Sequence, residues 1–148
     1  MRLLAQHYGA GAKSAIDVGC YVGGFICDLD WIPKRIAADI NNWSKEWAAV
    51  DNVRFMNADA FALDENFDFV ISSQTIEHVE NAKGFAEKLC ALGETVLIST
   101  TYKVPFGKIE GHVQDPIDLD KFTGWFPRSA KNISIVPDPY SDFIIGVF

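Results

Sequence analysis

The chain has 148 residues, 49% of them hydrophobic, and 13 Lys and Arg against 20 Asp and Glu leave a net charge of −7. That length and apolar content describe one folded domain over 1–148 and exclude a disordered chain. The acidic balance argues against nucleic acid or an anionic membrane as partner, because both need clustered Lys and Arg.

The first 13 residues are a short lead-in ending in the loop-forming run 9–13, and the start, Met1 to His7, is too short and too soon polar for a signal peptide. A strand is expected at 14–18, running into glycines, then a short helix at 23–29. A second strand follows the turn at Pro33 and covers 35–40. Trp43 and Trp47 stand at helical spacing in 43–50. A third strand is expected at 53–57 and a fourth at 67–73, apolar and short as a buried parallel strand should be. Phe85, Leu89 and Leu92 give 79–92 a helical face that Gly93 should stop. A fifth strand covers 95–101. Asp115, Pro116 and Asp118 resemble a helix start, with Asp115 as cap, and Pro127 ends that helix after Phe126. Strands at 133–136 and 143–148 close the chain as an antiparallel hairpin. Alternation of this kind means an α/β domain with a mostly parallel sheet covered on both faces.

Cys20, Cys27 and Cys90 form no Cys-x-x-Cys pair, which excludes a zinc knuckle or a thioredoxin motif. Three sparse thiols fit reduced, core-packed residues of a cytoplasmic protein. No apolar run approaches the roughly 20 residues of a membrane span.

The chemistry gathers at strand ends. Asp17, Gly19, Gly23 and Gly24 lie in a strand-to-helix turn, where glycines let a ligand approach the backbone and a helix start offers free N–H groups. Asp39 ends the next strand, placed to bind two ribose hydroxyls, and Asp59 follows the third. Three acids and a glycine loop thus meet at the carboxyl ends of consecutive strands, the crevice where open α/β sheets bind ligands.

With these blocks in order, and with Ser73, Gln74, Glu77, His78 and Val79 after the fourth strand, the sequence resembles a small class I S-adenosylmethionine-dependent methyltransferase. The resemblance runs from about residue 14 to the end. It implies a Rossmann-like three-layer sandwich with seven strands in the order 3-2-1-4-5-7-6, the seventh antiparallel. It implies S-adenosylmethionine as cofactor. Asp17 and Gly19 would then floor the pocket beside the methionine portion, and Gly23 would be the loop's last glycine. Asp39 would hold the ribose, Asp59 the adenine amino group, and Ala60 would lie near the ring. Ser73 and Gln74 would sit by the methionine portion. Tyr21 departs from the family's middle glycine, so its side chain must point away from the cofactor.

Methyl transfer depends chiefly on holding the nucleophile in line with the methyl group. A base is needed only where the acceptor must lose a proton, as a hydroxyl does. His78, at the start of the helix after the fourth strand, and His112, in the loop after the fifth, are the candidates. His112, Asp115, Asp118 and Asp120 also suggest a magnesium or manganese site. Capping and the helix dipole account better for the three acids, so no metal is assigned. Lys103, Lys108 and Lys121 read as a solvated face, and Phe122, Trp125 and Phe126 as a buried stripe. Trp43 is placed to stack on an adenine or to pack; His7 and Tyr8 are placed to cover the pocket or to serve as plain loop residues.

The short lead-in and final hairpin make the expected fold minimal and lidless. Three explanations stay open: a large acceptor bound at an open face, a second subunit that supplies the lid, in a homo-oligomer or a mixed complex, or a member that has lost activity and kept the fold. The stretch 111–116 also resembles methyltransferases of glycan and cell-surface pathways. The reading is therefore methyl transfer to a small molecule or glycan, at oxygen. Two alternatives stay open: a non-catalytic member that binds the cofactor or a partner chain, and a nicotinamide-dependent oxidoreductase.

Overall fold

The computed structural model describes residues 1–148. Seven strands form one sheet: β1 (Ser14–Val18), β2 (Lys34–Asp39), β3 (Arg54–Asn57), β4 (Phe67–Ser73), β5 (Gly93–Thr101), β6 (Asn132–Val136) and β7 (Phe143–Val147). Their order is β3-β2-β1-β4-β5-β7-β6, as the resemblance implies. The first five are mutually parallel where they pair, and β7 runs antiparallel to both β5 and β6. The register sets Asp17 beside Ala37 and Ile71, Asp39 beside Asn57, and Ser73 beside Ser99. Every acid of the sequence pattern thus stands at or just past a strand's carboxyl end.

Two cores flank the sheet because strand side chains alternate between faces. Ile16, Val18, Ile36 and Val70 meet Phe85 and Leu89 on one side, and Phe122 and Phe148 join that layer. Ala15, Ala37, Phe69 and Ile71 meet Ile26, Leu29 and Trp47 on the other. Burial on both faces explains the unbroken apolar stretch Phe69, Val70 and Ile71 in the middle of β4, while Asp68 near its start stays exposed.

The helices are shorter than their sequence patterns. The lead-in contains a helix, α1 (Arg2–Gly9), whose Ala5 and Gly9 are buried while Leu3 faces solvent. The Trp31 indole donates to the Gly9 carbonyl and ties down its C-terminal end. The stretch 23–29 forms only a 3₁₀ turn, Phe25–Asp28. Helix α2 (Ser44–Trp47) is a single turn, and the chain beyond it passes through Asn52 in a left-handed conformation. Helix α3 (Ala82–Leu92) begins three residues later than expected, capped by Asn81, which accepts from the Gly84 amide at 3.0 Å. Gly93 ends it by entering β5 directly in extended conformation; a Cβ there would lie 2.5 Å from the Phe67 carbonyl oxygen.

Helix α4 (Leu119–Gly124) corrects the expected cap. Asp118, not Asp115, accepts from the Lys121 amide, at 2.8 Å. Asp115 is unavailable because its carboxylate binds His112. Asp118→Ala should cost about 1 kcal/mol, the usual worth of a cap, read as a lower urea midpoint with unchanged slope. No helix is long and apolar enough to cross a membrane.

Candidate active site

A cavity of about 780 Å³ opens at the carboxyl ends of β1, β2 and β4. Asp17, Gly19, Asp39, Asp59 and Ala60 line it, with Ser73, Gln74 and His78 opposite. Gly23 and His112 are not among its lining residues. Gly23 takes a positive φ of 68° in open space, so it serves the turn. Trp43, His7 and Tyr8 also lie off the cavity.

Gly19 is required where it stands. Its φ is +78°, and a Cβ would run into the Thr75 side chain. Its amide and that of Cys20 both donate to the Ala38 carbonyl, which fastens the loop to β2. Asp17 is 1% exposed; its Oδ2 accepts from the Ile26 amide at 3.4 Å while Oδ1 has no partner. Burial, reinforced by the nearby Asp39, raises its pKa to about 7 against the opposing Ile26 hydrogen bond. Burial likewise pushes the Cys20 thiol up.

Asp39 organises the rim. Its Oδ2 accepts from the Tyr21 amide at 3.0 Å and its Oδ1 from the Asn41 amide at 2.8 Å. Tyr21 itself adopts the left-handed conformation, φ 48°, that a glycine would take. The residue is 61% exposed, and its ring lies edge-on to Trp43 at 4.8 Å. Tyr21 is among the residues lining the cavity, with its ring held against Trp43. Trp43 packs against this ring and the core beneath.

Asp59 both caps a turn and faces the cavity. Its Oδ1 caps the turn Ala60–Ala62 by accepting from the Phe61 amide at 2.9 Å, and it lines the cavity. Across the mouth, Ser73 and Gln74 are both held to Ser99, through Oγ at 3.0 Å and Nε2 at 3.2 Å. Gln74 is left-handed at φ 53°.

His78 sits in a 3₁₀ turn, Ile76–His78, ahead of α3 rather than in the helix. It is exposed, and its ring meets that of His112 edge-on at 4.7 Å. His112 is buried and shares a 2.7 Å contact between Nδ1 and Asp115 Oδ2. Asp118 and Asp120 take no part in this cluster; Asp118 is the cap and Asp120 an exposed first-turn acid. Lys103 and Lys108 are exposed as expected. Lys121 differs, its ammonium reaching the Gln114 carbonyl.

Sequence reasoning assigned no role to Glu77, which is fully buried beside both histidines and whose carboxyl burial pushes above its usual range. It also missed Thr75, Asn41, Phe61 and Phe85 on the cavity wall. The first two follow recognised blocks directly, and that adjacency was the available signal.

A family model described as a methyltransferase domain matches residues 2–137. No curated protein matches the chain. Solved structures do, at low identity. Magnesium protoporphyrin IX methyltransferase from Synechocystis, with SAH bound, aligns with a TM-score of 0.76 and 17% identity over 99% of this chain and 79% of that one. The 1,6-didemethyltoxoflavin-N1-methyltransferase of Burkholderia thailandensis, with its substrate and S-adenosylhomocysteine, gives 0.78 and 17% over 99% and 74%. The N-methyltransferase NodS of Bradyrhizobium japonicum, with S-adenosylhomocysteine, gives 0.77 and 10% over 99% and 83%. At such identities the likeness is one of fold.

Proposed function

Because the chain belongs to the methyltransferase-domain family, we propose that it transfers the methyl group of S-adenosylmethionine to a hydroxyl of a small molecule or glycan. The observation that carries the reading is the cavity with Asp17, Asp39 and Asp59 at the ends of three consecutive strands.

The residues fit that cofactor. Asp17 Oδ1 is a buried acceptor without a partner on the cavity floor, suited to a cationic methionine portion. Gly19 keeps the floor clear where any side chain would collide with Thr75. Asp39 is fixed by two backbone amides and offers its remaining lone pairs to two ribose hydroxyls. Asp59 is assigned to the adenine amino group with Ala60 beside the ring, and Ser73 and Gln74 to the methionine portion. Bound there, the cofactor supplies an activated methyl group ready for in-line displacement.

An oxygen acceptor must shed a proton, and the wall nearest Gln74 carries the only imidazole that reaches the cavity, His78, with His112 against it. That pair is assigned to the acceptor hydroxyl, and oxygen is favoured over nitrogen for this reason. Three unpaired cysteines support the cytoplasm as the compartment.

Calorimetric titration of the full chain with S-adenosylmethionine, and separately with S-adenosylhomocysteine, should give saturable binding of both. NADH should leave the protein unbound, with its fluorescence unchanged. Binding of NADH in place of the two sulfur compounds, or of none of the three, overturns the reading. Methyl transfer to amines but not to hydroxylated acceptors overturns the oxygen assignment alone.

A further inference from the structure

Glu77 is 0% exposed, and neither of its carboxylate oxygens has a hydrogen-bond partner. A carboxyl so buried either stays protonated or is ionised against a cation. Its backbone carbonyl is well used. It accepts from the Val113 and Gln114 amides at 2.9 and 3.2 Å, which pins the loop carrying His112 against the turn carrying Glu77 and His78. One ligand-capable atom from each of Glu77, His78 and His112 then lies within 4.8 Å of the others.

Both imidazoles are already oriented. His78 Nδ1 meets the Gly111 carbonyl at 2.9 Å, and only a protonated Nδ1 can bond a carbonyl oxygen. His112 Nδ1 meets Asp115 Oδ2 at 2.7 Å, and the Asp115 side chain is fully buried. Thr101 Oγ1 backs the other Asp115 oxygen at 3.5 Å. With each Nδ1 donating, each neutral ring keeps its lone pair on Nε2. A metal-ligating histidine has this arrangement: its second nitrogen is held by a carbonyl or carboxylate that fixes the tautomer and raises ligand basicity.

We propose that Glu77, His78 and His112 bind a divalent first-row transition-metal ion at the wall of the cavity. Two imidazoles and one carboxylate suit manganese through zinc, and three protein ligands leave coordination positions open. His78 belongs both to this cluster and to the cavity wall, so the ion borders the space where an acceptor enters. The acceptor class follows, and this part rests on the methyl-transfer reading: a molecule with adjacent oxygens, such as a vicinal diol, that chelates the ion. A hydroxyl so bound loses its proton to water more readily than a free one. The two histidines then act on the acceptor through the ion. Asp115 is a positioning residue for His112.

The test uses the full chain freed of metal by a chelator and dialysis. Mn²⁺ is added and the free ion followed by electron paramagnetic resonance; Co²⁺ is added separately and followed by its visible absorption. The expected result is one ion per chain with either probe. His78→Ala and His112→Ala should each weaken binding more than tenfold, and Asp115→Asn should weaken it about 10–100-fold. His78 is exposed, so its variant should fold, and circular dichroism checks this for all three. Absence of saturable binding, or binding that His78→Ala leaves unchanged, overturns the site. S-adenosylmethionine affinity measured on the same samples separates the two conclusions, since metal binding can fail with cofactor binding intact and the reverse.

Discussion

Asp39→Ala should bind S-adenosylmethionine at least a hundredfold more weakly than the native chain. Each ribose hydroxyl donated to a carboxylate is worth roughly 1.5–3 kcal/mol, and two such bonds exceed the ~2.7 kcal/mol of a hundredfold change. The rim adds to this loss. Asp39 also holds the Tyr21 and Asn41 amides, so alanine frees the loop as well as the hydroxyls. Asp39→Asn keeps the shape and one acceptor oxygen, and should fall between the two. Calorimetry reads all three proteins, and native affinity in Asp39→Ala would defeat the ribose assignment.

Stability should fall through Asp17 as pH rises from about 4 to 7. Its carboxyl titrates at about 7 in the folded chain against 3.8 as a free group. Between those values the folded state holds a proton that the unfolded chain has released, so raising pH favours unfolding, and the effect levels off above 7. The loss at pH 8 is on the order of 4 kcal/mol. Asp17→Asn removes the ionisation while keeping the shape. It should be more stable than the native protein at pH 8 and nearly equal to it at pH 4, in urea unfolding across that range. Identical pH profiles for the two proteins would refute the account. The same ionisation links to the ligand. A cationic methionine portion pairs with the charged form, so native affinity should decline below about pH 7, and Asp17→Asn should flatten that decline.

The strands were legible because burial on both faces leaves an unmistakable composition. Residues 67–73 carry the apolar Phe67, Phe69, Val70 and Ile71 in a short span, and β4 has those bounds. The acids at positions 17, 39 and 59 were legible because the end of a strand is a local feature. The helices were less so. Trp43 and Trp47 have helical spacing, yet the indole of Trp47 is spent on the Tyr21 carbonyl and the helix stops after one turn. Asp115 has the form of a cap, but a histidine three residues earlier takes its carboxylate. The grouping of Glu77 with His112 was hidden for a different reason. It depends on backbone bonds from Val113 and Gln114 to Glu77, across more than thirty residues of chain, and no local pattern encodes such a pairing.

The bonds that hold Tyr21 also make its loop visible to light. Its carbonyl accepts from the Trp47 indole at 2.6 Å, its ring abuts Trp43, and its amide is bound to Asp39. Indole emission follows hydrogen bonding and local polarity, so whatever occupies Asp39 is coupled to two native fluorophores. The protein thus carries a dye-free optical gauge of its own occupancy, and Trp47→Phe identifies which of the two indoles reports.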